Sequence, residues 1–155
     1  MKTPFQMLCV LVLCAVLFAT ATTGCSTFNR DWKKAAIPRP ADSIVGRWEG
    51  SWLSDADGHR GRLRCVIMGL GNGRYRAHYK ATYWKIFRFS YAVEMQSEQR
   101  SNDVFEMRGE TDLGWWGGGV YQYEGQVSST NFVCTYRSKH DHGKFQMERP
   151  PPPVH

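Results

Sequence analysis

From Val45 to Met147 apolar and polar residues exchange places at every second position, with few interruptions. A strand throws successive side chains to opposite faces, so this pattern commits the chain to sheet whose one face is buried. Trp48, Gly50 and Trp52 share one face. Leu63, Cys65 and Ile67 alternate with Arg62, Arg64 and Val66. Tyr75, Ala77, Tyr79 and Ala81 alternate with Arg74, Arg76, His78 and Lys80. Phe87, Phe89, Tyr91, Val93 and Met95 follow, then Met107, Tyr121 and Tyr123, then Phe132, Cys134 and Tyr136, and finally Phe145 and Met147. Turn chemistry separates the runs: "SDADGHRG", "GLGNG", "SEQRSND", "DLGWWGGG", "SSTN" and "SKHDHG". No segment between them has a helical period. About eight strands with short links predict an all-β fold, antiparallel hairpins closing into an up-and-down barrel. A two-layer sandwich is the rival, and the lack of a long crossover argues against it.

The first residues read differently. Lys2 precedes the apolar run Phe5 to Ala21, which is short for a membrane span and reads as an export signal. Two cleavage sites compete. Ala19-Thr20-Ala21 fits the small-x-small rule of ordinary secretion, whereas Thr22-Thr23-Gly24-Cys25 resembles the lipobox of bacterial lipoproteins. That resemblance implies a lipid on Cys25, and Ser26 in place of Asp implies an outer-membrane address facing the periplasm. The expected division is a signal over 1–24, a tether over 25–43, a barrel over 44–149 and a disordered proline-rich tail over 150–155. Trp32, Lys33 and Lys34 in the tether could touch headgroups, against the plainer reading of a solvated linker.

The "GRWEGSW" stretch opens the first strand with Gly46 and Trp48, and Arg149 ends the last strand on the inner-face parity of Phe145 and Met147. This Gly-x-Trp with a terminal arginine resembles the calycin group of lipocalin- and avidin-type barrels. The resemblance implies that Arg149 lies across Trp48 at the barrel floor. Thr130, in the next-to-last turn, matches one position of the lipocalin Thr-Asp-Tyr motif.

An up-and-down order puts alternate loops at one end. Trp84, Trp115 and Trp116 are thereby expected around one mouth with Asp55, Asp57, His59, Asp112, Lys139, His140, Asp141 and His142. The expected ligand rim is Trp84, Trp115, Trp116, His140 and His142, with the glycine run letting the tryptophans fold over a small, mostly apolar guest. The competing reading is that the two indoles plug the barrel. The expected lining is Trp52, Leu63, Ile67, Tyr75, Tyr79, Phe87, Phe89, Tyr91, Met107, Tyr121, Tyr123 and Tyr136, crowded enough to favour a flat or slender guest, or none. His140 and His142 with His59 could ligate zinc, but "HDHG" is also ordinary turn sequence. Asp112 or Glu110 beside His140 is a generic acid–base pairing. No catalytic residue, metal or cofactor is therefore expected, and the chain does not read as an enzyme.

Twenty basic against fourteen acidic residues give a net charge of +6. Arg62, Arg64, Arg74, Arg76 and Lys80 fall on outward faces of adjacent strands, a basic wall suited to an anionic envelope surface or, more plainly, to solvent. Export makes nucleic acid an unexpected partner. A filled scaffold for a protein or cell-wall partner is the alternative to a ligand carrier. Cys65 and Cys134 both face inward on strands three steps apart. A disulfide needs Cα atoms within about 7 Å, so free thiols are favoured over a bridge.

Overall fold

The computed structural model describes residues 27–36, 43–84 and 87–151. The signal segment, Cys25 and the end of the proline tail lie outside the described residues.

Eight strands follow one another: β1 (Gly46–Ser54), β2 (Arg60–Gly71), β3 (Arg74–Tyr83), β4 (Phe87–Gln99), β5 (Phe105–Asp112), β6 (Val120–Val127), β7 (Asn131–Arg137) and β8 (His142–Glu148). Each pairs antiparallel with the next, and β1 pairs with β8, closing an up-and-down barrel. The alternation in the sequence becomes the alternation of burial, most cleanly in β7 and β8, where every second residue is buried. Trp48, Leu63, Cys65, Ile67, Tyr79, Met95, Met107, Tyr123, Phe132 and Cys134 are buried in one contiguous core. Cys65 and Cys134 are both free thiols.

Strand parity fixes a face but not a height. Phe87 and Phe89, expected inside, are 59% and 47% exposed. They follow inward parity, but β4 pairs with β5 only from Glu94 to Gln99. Its first half rises past the end of β5, so these rings stand at the lip rather than in the lumen.

The segment expected as a tether contains a helix, α1, over 27–34. It lies against the outer wall of β1–β3. Phe28 is buried to 1% exposure, with the His78 ring edge-on at 5.1 Å and Lys80 above it at 5.5 Å. Trp32 stacks on Phe28 and carries the guanidinium groups of Arg47 and Arg64 at 5.0 and 5.1 Å. Asp31 meets His78 Nδ1 at 3.0 Å, and Lys80 donates to Asn29 at 2.9 Å. Part of the outward basic wall thus holds this chain's own helix through cation–π and charge-assisted contacts.

Candidate functional site

The two ends of the barrel are built differently. At one end Trp48 is fully buried, and its indole N–H donates to Ile44 O at 3.0 Å. The ring of Phe132 stands edge-on to it at 5.7 Å. The guanidinium of Arg149 lies 3.9 Å above the Trp48 ring. It donates to Ser129 O at 3.1 Å, Val45 O at 3.1 Å, Arg47 O at 3.3 Å, and Ser43 O. One planar cation thus satisfies carbonyls from the entry to β1 and from the β6–β7 turn and seals this floor. Burial lowers the arginine's proton affinity. Gly46, φ 121°, begins the strand beside it.

Above the floor the lumen is filled. Tyr79 stacks on Tyr91 at 5.3 Å, faces Tyr123 at 6.3 Å and meets Phe145 at 5.5 Å. Burial raises the proton affinities of Tyr79, Tyr91 and Tyr123, so these phenols stay neutral. Burial likewise raises Cys65 well above the ordinary thiol range and pushes Cys134 up to about 12. A thiol that holds its proton this firmly is a poor nucleophile.

Towards the other end the packing opens into a cavity of about 520 Å³. That size suits a small organic molecule. Its wall is a belt of rings. Trp52 donates its N–H to Thr82 O at 3.1 Å and stacks on Tyr83 at 5.7 Å, 11° from parallel. Tyr121 faces Tyr136 at 6.0 Å, and Tyr136 faces Phe145 at 5.0 Å. Phe89, Leu113 and Trp116 form the upper edge.

The loop between β5 and β6 shows what a glycine run does beside two tryptophans. Trp115–Gly117 is a single 3-10 turn. Gly114 N–H donates to Asp112 Oδ1 at 2.8 Å, Leu113 N–H to Gly119 O at 3.0 Å, and Gly119 N–H to Gly114 O at 2.9 Å. Gly118 and Gly119 sit at φ 91° and 84°, where a side chain would strain the backbone. The loop is therefore folded on itself by its own hydrogen bonds. It holds Trp115 and Trp116 edge to face at 4.7 Å, 84% and 92% exposed. Indoles this exposed to solvent do not plug the lumen. Trp116 borders the cavity; Trp115 does not line it.

The remaining rim residues separate. Trp84, at φ 47° and 63% exposed, packs on Tyr83 at 5.3 Å and on His59 at 6.0 Å. It lines a groove on the outer wall, not the cavity. His142 is a correction. As the first residue of β8 it shares outward parity with Lys144 and Gln146 and is exposed on the outer wall. His140 is exposed in the turn, its N–H donating to Ser138 Oγ at 3.2 Å. Neither histidine lines the cavity. His59 instead pairs with Asp57 at 2.7 Å and, through that contact, holds its carboxyl down at about 2. No cluster of three or more His, Cys, Asp or Glu able to hold a metal occurs among the described residues.

The residue that sequence reasoning undervalued is Asp141. Its carboxylate accepts from Ser54 Oγ at 2.7 Å, and Ser54 is buried at the inward end of β1. The link draws the β7–β8 turn over the mouth. Its signal in the sequence was only parity: Ser54 shares the inward face of Trp48 and Trp52. The fold and site together define a closed eight-stranded barrel with a sealed base, a filled waist and an aromatic mouth. Compared with models of known protein families and with curated proteins, the chain matches none of them.

Proposed function

We propose that this chain is an envelope lipoprotein, acylated at Cys25, whose calycin-like barrel receives a small, mostly apolar ligand through its open end. The observation that carries this reading is the ring-lined cavity of about 520 Å³ above a packed waist. Its depth favours a flat or slender guest over a long lipid, because Tyr79, Tyr91 and Tyr123 occupy the space below. No catalytic step is proposed: the buried thiols are firmly protonated, and the exposed histidines stand apart from the cavity. The Thr22–Cys25 lipobox and Ser26 support an outer-membrane position facing the periplasm.

Native mass spectrometry of the protein isolated from its own source tests the reading. A retained small molecule, displaced in a Trp116→Ala variant of unchanged melting temperature, is the expected result. A bare chain of the acylated mass would remove the ligand-carrier reading and leave the lipoprotein one.

A second reading has its own support. Trp115 and Trp116 form an exposed apolar patch, and large exposed apolar groups mark partner surfaces. The outer wall beside the mouth carries Arg60, Arg62, Arg64, Lys80, Arg88 and Lys144 around a groove. A scaffold that docks an anionic protein or cell-wall surface would use both. Capture of such a partner that weakens steeply with added salt, with the cavity empty, is the outcome that favours it.

A further inference from the structure

We propose that the mouth cavity selects a cationic guest, a bulky and weakly hydrated ammonium of the quaternary kind, with the Asp141 carboxylate as its counter-ion. This rests on the ligand-carrier reading and narrows it to a chemical class. Among the described residues, Asp141 is the only one lining the cavity whose side chain is ordinarily charged at neutral pH, in a chain whose net charge is +6. No described Lys, Arg or His stands within ion-pair distance of its carboxylate. The carboxylate accepts from Ser54 Oγ at 2.7 Å and is hydrogen-bonded by the Tyr136 phenol, and neutral hydroxyls do not neutralise a carboxylate.

Two consequences follow from elementary electrostatics. A neutral guest filling the cavity would strip water from Asp141 and leave the charge unpaired, which is costly. A cation would replace the lost water by an ion pair inside a low-dielectric pocket. The rest of the wall favours the same guest. Trp52, Tyr83, Tyr121 and Tyr136 line the same space as the carboxylate, and the quadrupole of an aromatic ring attracts a cation. A quaternary ammonium suits such a site better than a primary amine, because it brings apolar methyl groups and loses less hydration. Tyr136 is held neutral by burial and, secondly, by the neighbouring Asp141 charge, so the phenol adds no competing anion. The arginines and lysines of the outer wall act from the other side of the sheet, where water and salt screen them.

The test uses two molecules of one shape, phenyltrimethylammonium and its neutral carbon isostere tert-butylbenzene. Each is titrated by calorimetry into the full chain and into variants in the same detergent, so that micelle partition cancels. The cation is expected to bind about tenfold tighter than the isostere. Asp141→Asn is expected to abolish that preference without weakening the neutral molecule. Ser54→Ala removes the same hydrogen bond but keeps the charge, and is expected to retain the preference. Equal or tighter binding of tert-butylbenzene by the unaltered chain, or a preference that survives Asp141→Asn, overturns the cation proposal and leaves the apolar carrier standing. Binding of neither molecule by a folded chain overturns both.

Discussion

At the scale of single residues, the chemistry divides into one half-buried cation put to structural use and several groups kept neutral by burial. Arg149 lies over Trp48 and donates to four carbonyls, so its removal strips a cation–π contact and leaves partly buried acceptors unpaired. Arg149→Ala is expected to cost about 3 kcal/mol or more in urea unfolding. Arg149→Lys should recover less than half of that, since an ammonium cannot span the same carbonyls in one plane. The buried thiols give a pH signature of definite sign. Burial pushes Cys134 from 9.0 up to about 12, and Cys65 is raised as well. Above pH 9 the unfolded thiols have lost protons that the folded ones keep, so the native state binds more protons. Stability is therefore full below pH 9 and falls as pH rises towards 12. The fall amounts to about 1.4 kcal/mol per pH unit for each thiol. Unfolding curves at pH 8, 9 and 10 check this. Cys134→Ala is expected to shallow the decline, and an unchanged slope would refute the assignment.

At the scale of elements, α1 behaves as a docked strap whose strength sits in Phe28. The ring is nearly inaccessible between His78 and Lys80, and Trp32 adds the contacts to Arg47 and Arg64. Phe28→Ala should release the helix while the barrel stays closed. Amide exchange over 27–34 is expected to rise at least tenfold, with exchange in β3 and β4 little changed. Uniform acceleration across the barrel would mean that the helix is part of the core instead. This element also marks where the sequence stopped being legible. The strands were readable because each carries its own alternation, from Trp48-Gly50-Trp52 in β1 to Phe145-Met147 in β8. Helix α1 has no such local signature beyond the i, i+4 spacing of Phe28 and Trp32. Its stability comes from strands far along the chain. The rim failed for related reasons. Parity placed Phe89 on the inner face but could not know that β4 overtops β5. His142 was grouped by its turn when its parity with Lys144 already sent it outward. Trp115 and Trp116 were placed at the correct end, but only the hydrogen bonds that close the loop decide which way the indoles face.

At the scale of the whole molecule, everything above depends on the seam between β1 and β8, which turns a curved sheet into a vessel with a floor and a mouth. Six residue pairs join the strands, from Glu49 opposite Glu148 to Ser54 opposite Gly143. The inner face of the seam is too tight for side chains at two places. A Cβ on Gly50 would fall against the Gln146 carbonyl oxygen, with the Met147 Cα at 2.7 Å. One on Gly143 would fall against the Leu53 carbonyl, with the Tyr136 hydroxyl oxygen at 2.7 Å. Both obstacles include backbone, which cannot rotate aside. The small size of these residues is thus what lets the first and last strands approach closely enough to bond, and the seam spans the height between the Arg149 floor and the Asp141 mouth. Gly50→Ala should therefore act on closure rather than on any one contact. Amides of β1 and β8 are expected to lose protection first, while β3–β4, far around the barrel, keep theirs. The floor should loosen with the seam, because Arg149 bonds carbonyls that flank it. The size of the effect separates two outcomes. A loss of several kcal/mol with selective exchange at β1 and β8 means that the barrel opens along this line. A loss below about 0.5 kcal/mol, within the range of an ordinary surface substitution, would mean that the strands can part by the width of a methyl group without opening the vessel. The tight seam would then not be what holds the mouth cavity in shape.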